Sequence, residues 1–132
     1  GHDNALAGGK RPLHTIIPAM VTKNDALVGP FGVMGGAYQP FGHAHVLTNM
    51  IDYGMDPQQA LDHGRVFWGK DGVLEVEACV PEAVRAGLRE LGHTVRPAKA
   101  PWGGGQVIHI NGQNGTLVAG SDGRKDGMAA GY

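Results

Sequence analysis

The most informative segment of this sequence is Gly29-Pro30-Phe31-Gly32-Val33-Met34-Gly35-Gly36-Ala37-Tyr38-Gln39-Pro40-Phe41-Gly42-His43. An apolar, strand-like stretch leads into it at residues 26–28, and a helical pattern leads out of it towards Tyr53. Between them, the paired glycines Gly35 and Gly36 let backbone N–H groups stand clear of side chains. Such a loop ahead of a helix is typical of a site for an anion or a developing oxyanion.

Composition indicates a globular chain and excludes several classes of protein. With 132 residues, the chain makes one domain or a piece of a larger one. Hydrophobic residues make up 42% and charged residues 17%, which favours a folded core over disorder. The net charge of −1 gives no basic footprint for nucleic acid. No apolar run approaches the roughly 20 residues of a membrane span, and the single Cys79 excludes an internal disulfide framework.

The first residues look like an addition to the domain. Gly1-His2 resembles a scar left by tag removal, and residues 1–8 are expected to form a loose lead-in. We therefore expect a single domain over residues 1–132 that is a truncated or processed part of a longer protein.

Strand patterns alternate with turn signals along the chain. Residues 14–22 are rich in β-branched side chains and predict a strand, with Pro18 at a bulge or an edge. Asn24-Asp25 predicts a turn, and residues 26–33 a second strand that closes a hairpin. Further strands are expected at residues 65–68, 73–76, 93–96, 106–110 and 116–119.

Three segments have helical patterns. The first places apolar side chains on one face of a helix that ends near Tyr53: His43, Val46, Leu47, Met50 and Ile51. Asp56 is expected to cap a second helix that begins at Pro57. A third helix begins after Pro81, with Val84, Leu88 and Leu91 on its buried face. The pattern predicts an α+β fold with mainly antiparallel strands and flanking helices.

Four motifs in this sequence carry a family resemblance. They are Gly9-Lys10-Arg11-Pro12-Leu13, Gly32-Val33-Met34-Gly35-Gly36, Asn49-Met50-Ile51-Asp52-Tyr53-Gly54-Met55, and Gly120-Ser121-Asp122-Gly123-Arg124-Lys125-Asp126-Gly127 with the terminal Ala130-Gly131-Tyr132. In this order and spacing, the chain resembles the C-terminal part of the small subunit of γ-glutamyltranspeptidase (γ-glutamyltransferase-like) proteins. The similarity runs from about Gly9 to the last residue.

The resemblance implies an N-terminal nucleophile hydrolase fold, a four-layer αββα sandwich made from a precursor that cuts itself into large and small subunits. It also implies a threonine at the start of the small subunit, whose hydroxyl attacks a γ-glutamyl amide with its own α-amine as base. We expect that nucleophile upstream of this chain, because every threonine here is internal: Thr15, Thr22, Thr48, Thr94 and Thr116. No cofactor and no metal are implied, and the chain alone is expected to be inactive.

The resemblance also implies site residues in this chain. Gly35 and Gly36 would donate backbone N–H groups to the oxyanion, although paired glycines alone often only permit a tight turn. After the Arg-Pro-Leu motif the family commonly has two hydroxyl residues that hold the substrate carboxylate, where this chain has His14 and Thr15. Thr15 can keep one such contact, whereas His14 either binds an anion or fills the pocket. With Gln39, these residues are the substrate-binding candidates.

The pair His14-Thr15, together with Gln39-Pro40, is similar to a branch of the family that includes cephalosporin-acylase-like proteins. The acyl donor is therefore expected to differ from glutathione. Arg11, Asp122 and Arg124 are expected to support the site, while the alternative for Asp122 and Arg124 is a surface turn with a weak ion pair.

Other polar residues have simpler interpretations. Glu75 and Glu77 alternate on a predicted strand and are expected to face solvent. His43 and His45 lie two apart on a predicted helix, so they face different sides and do not favour a metal site. The segment Trp102-Gly103-Gly104-Gly105 is either a plain surface loop or a flexible cover for the pocket.

The sequence leaves three functions open. The first is part of a γ-glutamyl acyltransferase or hydrolase, the second a cephalosporin-acylase-like amidase, and the third a stand-alone, non-catalytic binding or assembly module. The expected partners are the remainder of its own precursor and a small γ-glutamyl or related amide substrate. Truncation would expose sheet edges and an apolar face, so self-association is expected. Family members are often periplasmic or extracellular, and a cytoplasmic location stays open.

Overall fold

The computed structural model describes all 132 residues and contains seven strands and three α-helices. In chain order these are β1 (Ala19–Lys23), β2 (Ala26–Met34), α1 (Gln39–Ile51), α2 (Pro57–Asp62), β3 (Val66–Trp68), β4 (Leu74–Val76), α3 (Glu82–Glu90), β5 (Val95–Pro97), β6 (Gly104–Ile110) and β7 (Leu117–Ser121). Single 3₁₀ turns lie at Gly36–Tyr38 and Gly123–Lys125. None of the helices has the length and apolar character needed to cross a membrane.

The strands form two sheets. The larger has the order β1-β2-β6-β7, and all of its neighbours are antiparallel. The smaller has the order β3-β4-β5, in which β3 and β4 are antiparallel but β4 and β5 are parallel. The parallel pair follows from the α3 crossover, since a helix between two strands returns the chain in the same direction. The predicted α+β fold with mainly antiparallel strands is confirmed.

The predicted hairpin forms, but its first strand is shorter than expected. Asn24 (φ 51°) and Asp25 (φ 63°) make the turn, both in the left-handed region that a two-residue hairpin requires. Strand β1 begins at Ala19, because Pro18 has no N–H to donate to the ladder. Residues 14–18, here called the strap, belong to no helix or strand.

The core lies between the larger sheet and the helices α1 and α2. Phe31 and Val33 of β2 meet Val46 of α1 and Leu61 of α2, and further buried members complete the cluster: Tyr38, Ala60, Phe67 and Val107. Helix α1 begins at Gln39, earlier than its apolar pattern predicted, because Pro40 is tolerated in the first helical turn. Ile51, predicted on the buried face, is 66% exposed.

The other two helices differ in how well their sequence patterns predicted them. The cap at Asp56 is confirmed: its carboxylate accepts the Gln59 N–H, and the Gln59 side chain accepts the Asp56 N–H. The buried face predicted for α3 is wrong. Val84 and Leu91 are exposed, Leu88 is half-buried, and no residue of α3 is fully buried.

The larger sheet has helices on one face only. On the opposite face, here called the open face, Met20, Met34 and Ile108 are exposed. Strands β1 and β7 are its two unpaired edges. The open apolar face and free edges expected from the sequence are therefore present, while self-association stays a prediction.

Two helical glycines provide a matched test of this packing. A Cβ on Gly42 of α1 would lie 2.6 Å from Val33 Cγ1 and 2.8 Å from Tyr38 Cε1, whereas one on Gly87 of α3 would meet nothing within 4 Å. We expect G42A to lower the free energy of unfolding by about 1–2 kcal/mol, because overpacking outweighs the gain in helix propensity. G87A should raise it by about 0.5–1 kcal/mol. Urea unfolding measures both, and equal effects of the two changes would contradict the packing described.

Candidate active site

A groove of about 770 Å³ crosses the open face of the larger sheet. The strap, the end of β2, the glycine loop and the start of β6 form its walls, and its lining includes Thr15, Gly35, Gly36 and Gln39. Thr15 lies 20 positions before Gly35, so the β1–β2 hairpin brings the strap to the same place as the glycine loop and Gln39. A second cavity, of about 380 Å³, lies on the helix-covered side and contains none of them.

The glycine loop has a backbone that only glycine adopts readily. Gly35 has φ 140° and Gly36 has φ 58°. A Cβ on Gly35 would lie 2.9 Å from Gly103 Cα, whereas one on Gly36 would meet nothing within 4 Å. The Gly35 N–H donates to no acceptor in the chain, and Gly36 begins the 3₁₀ turn that leads into α1. The loop thus offers unpaired N–H donors at the start of a helical segment, which suits a negatively charged oxygen.

Two of the three substrate-binding candidates, Thr15 and Gln39, line the groove. Gln39 Nε2 donates a hydrogen bond of 3.2 Å to the Thr15 carbonyl, which joins the first turn of α1 to the strap. His14 is exposed and does not line the groove. Arg11 is exposed as well and forms no hydrogen bond or ion pair within the chain, so its predicted supporting role stays a prediction.

Four charged side chains form a buried network behind the groove, here called the ion network. Arg65 pairs with Asp122 at 2.6 Å, with both side chains fully buried. Arg124 pairs with Glu77 at 2.6 Å and with Asp122 at 3.2 Å. Two positive and two negative charges therefore balance inside the protein, which offsets much of the desolvation cost of burying them.

Backbone groups complete the hydrogen bonding of the two carboxylates. Glu77 accepts the Trp102 N–H at 2.9 Å, and Asp122 accepts the Gly105 N–H at 2.9 Å. Burial alone would raise the pKa of both carboxyls, but these bonds and the neighbouring guanidinium groups outweigh it, so each pKa lies below its ordinary value. Both residues are therefore ionised at neutral pH.

The ion network corrects two expectations from the sequence. Glu77 does not face solvent, because it follows the last residue of β4 and turns inward to meet Arg124. Glu75 is only partly exposed and pairs with Arg96 at 2.6 Å. A surface turn at the C-terminus is also wrong for Asp122 and Arg124, which are buried or nearly so.

Arg65 is a member of the ion network that no pattern in the sequence identified. It was placed at the start of a predicted strand, yet it is completely buried, and its guanidinium lies 5.7 Å from the centre of the Tyr38 ring. The one signal available was a charged residue directly before the apolar run Val66-Phe67-Trp68. Trp102 packs on Tyr38 and Phe67, so its segment belongs to the core boundary and is neither a loose loop nor a mobile cover.

The histidines of α1 face different sides, as their spacing predicted. His43 contacts the strap, whereas His45 Nε2 lies 3.3 Å from His63 Nδ1. Desolvation and the neighbouring His63 lower the pKa of His45 to about 4. The structure brings no three potential metal ligands together.

Asp122 and Asp126 allow a matched test of the ion network. Asp122→Asn should lower the free energy of unfolding by about 3 kcal/mol, because it leaves Arg65 and Arg124 with an uncompensated buried charge. Asp126→Asn changes an exposed residue a few positions away and should stay within about 0.5 kcal/mol of wild type. Asparagine suits the left-handed backbone of Asp126 (φ 52°). Chemical denaturation measures the free energy of unfolding of both variants. If D122N lowers it no more than D126N does, the stabilising role of the ion network is contradicted.

Comparison with known proteins gives the chain its relatives. The family model described as gamma-glutamyltranspeptidase matches residues 1–132. The glutathione hydrolase-like YwrD proenzyme of Bacillus subtilis is 35% identical over 98% of this chain and 26% of its own length. The oxamate amidohydrolase proenzyme of Klebsiella pneumoniae is 36% identical over 99% of this chain and 26% of its own length. The chain thus spans about a quarter of the length of these curated relatives.

Solved structures agree with this assignment. The cephalosporin acylase from Bacillus halodurans superposes with a TM-score of 0.84 at 44% identity, over 99% of this chain and 25% of that one. An acivicin-inhibited gamma-glutamyltranspeptidase superposes with a TM-score of 0.78 at 27% identity, over 96% of this chain and 69% of that one. The mixed helices and antiparallel sheets are those of the N-terminal nucleophile hydrolase fold that these proteins share. The chain belongs to the gamma-glutamyltranspeptidase family.

Proposed function

We propose that this chain supplies the oxyanion loop and part of the substrate groove of an enzyme that transfers or hydrolyses a γ-glutamyl or related acyl group. One observation carries the proposal: Thr15, Gln39 and the Gly35-Gly36 pair line a single groove on the open face. Family membership favours an enzyme over a stand-alone module. The nucleophile would come from another part of the larger protein, since this chain spans only about a quarter of the length of its curated relatives.

The proposed chemistry needs an oxyanion site where the glycine loop lies. A threonine hydroxyl outside this chain would attack the amide carbonyl, and its own α-amine would accept the hydroxyl proton. The carbonyl oxygen becomes negative as the new C–O bond forms, and the N–H groups of Gly35 and Gly36 would stabilise that charge. The tetrahedral intermediate would then expel the amine, which takes the proton, and leave an ester for water or an amino acid to attack.

The groove supports a substrate with both polar and apolar parts. Thr15 of the strap and Gln39 of α1 line it and would contact the acyl group, while His14 precedes Thr15 but does not line the groove. Apolar side chains line much of the remainder, including Ile16, Met20 and Met34. Asp122 and Arg124 would act on this site indirectly, by holding β6 in place beneath the loop.

A second candidate is an amidase of the cephalosporin-acylase type. It is favoured by the 44% identity to the Bacillus halodurans cephalosporin acylase and by His14 at a position where γ-glutamyl enzymes commonly have a hydroxyl residue. The same loop and the same mechanism serve either substrate. Only the contacts of the strap with the acyl group would differ between the two.

Gly36 and Gly72 allow a controlled test of the oxyanion loop. Both have positive φ (58° and 75°), and a Cβ on either meets nothing within 4 Å, so valine imposes a similar backbone penalty at each. In the full-length enzyme, Gly36→Val should lower kcat about 10²–10³-fold, because it tilts the N–H donors away from the oxyanion. Gly72→Val, remote from the groove, should leave kcat within about twofold. A folded G36V enzyme with wild-type kcat would disprove the role of the loop.

The acyl donor can be identified by competition between two substrates. The full-length enzyme would be assayed with a γ-glutamyl chromogenic amide and with an N-acylated cephalosporin, and the higher kcat/KM names the donor class. We expect the cephalosporin-type amide to win, since His14 replaces a hydroxyl contact for the γ-glutamyl carboxylate. The 132-residue chain alone serves as the blank and should hydrolyse neither, whereas turnover by it would contradict an external nucleophile.

A further inference from the structure

The hydrogen bonds between the strap and other elements all come from one helix, α1. Residues 14–18 belong to no sheet, and only two hydrogen bonds join them to other elements. Gln39 Nε2 donates to the Thr15 carbonyl at 3.2 Å, and His43 Nε2 lies 2.8 Å from the Ile17 carbonyl. Both side chains come from the first turns of α1. The wall of the groove that contains Thr15 therefore depends on α1 for its position.

The spacing of the two contacts matches on both sides. Gln39 and His43 are four residues apart and lie on the same face of α1, separated by about 6 Å along the helix axis. Thr15 and Ile17 are two residues apart on the strap, and two residues of backbone span at most about 7 Å. The two spacings are therefore comparable, and two rungs join α1 to the strap.

A backbone carbonyl oxygen lies within hydrogen-bonding distance of each ring nitrogen of His43. Nε2 faces the Ile17 carbonyl, and Nδ1 lies 2.8 Å from the Gln39 carbonyl. A carbonyl oxygen only accepts, so a ring nitrogen of His43 that carries an N–H donates to the carbonyl it faces. The ring also packs on Phe31 of β2 at 5.1 Å between centroids. No charged side chain of α1, β2 or the strap forms a hydrogen bond or ion pair with it.

We propose that His43 is a positioning residue that clamps the strap to α1 through its ring nitrogens and so holds the substrate-binding wall of the groove beside the glycine loop. Gln39 provides the second rung of this clamp. The effect on substrate rests on the proposed function, whereas the clamp itself does not.

The kinetic test uses the full-length enzyme with three variants. H43F keeps a flat ring against Phe31 but removes both ring nitrogens. It should raise KM about tenfold and leave kcat within about twofold of wild type, because the strap contributes to substrate binding and not to the chemical step. H43Q keeps one N–H for the Ile17 carbonyl and should restore most of the loss. H45A, on the same helix but facing His63, is the control and should keep the wild-type KM.

A second measurement does not depend on activity. Chymotrypsin cleavage after Leu13, next to the strap, should be several-fold faster in H43F than in wild type or H45A, because the strap is then held by one rung. Equal cleavage of wild type and H43F would overturn the clamp. Faster cleavage of H43F in an enzyme that hydrolyses no amide would uphold the clamp and refute the proposed function.

Discussion

The ion network is the constraint on which the remainder of this structure depends. Its four side chains come from the start of β3, the end of β4 and the segment after β7, so they join parts of the chain that share few apolar contacts. Among the eight residues of the main core cluster, Phe67 alone comes from the smaller sheet. The position of that sheet therefore rests on Phe67, its aromatic neighbours and these buried charges. A buried network of this kind adds little net stability but makes any other arrangement costly, because each alternative leaves a charge unpaired.

The same network reaches the groove through the backbone. Asp122 accepts the Gly105 N–H. Gly105 of β6 pairs with Val33 of β2, one residue pair before the ladder ends at the glycine loop. The start of β6 is thereby fixed against the end of β2, and Gly103 meets Gly35 where a larger residue would not fit. The hydrogen bond from Gly105 thus connects the ion network to the strand that lies beside the glycine loop. Under the proposed function, this connection would let the C-terminal segment support a site that it does not line.

The sequence predicted the features that short-range chemistry controls. The Asn24-Asp25 turn and the Asp56 cap each depend on residues within a few positions of one another, and both were found where expected. The errors arose where a distant partner decides the outcome. Glu77 looked solvent-facing because its partner Arg124 lies 47 residues away in sequence. Alternation of polar residues shows which side chains share a face of a strand, but it does not show what lies opposite that face.

The candidate site shows the same division between local and distant causes. A paired glycine signals an unusual backbone from sequence alone, but the structure gives the two glycines different reasons to be there. Gly35 is required by close contact with Gly103, so the fold would need it even if the loop bound nothing. Gly36 has open space around it and is required only by its positive φ. One glycine is enough for many tight turns, whereas two successive glycines at positive φ allow the backbone to form an anion-binding loop. The second glycine is therefore the one whose presence favours anion binding over simple turn formation.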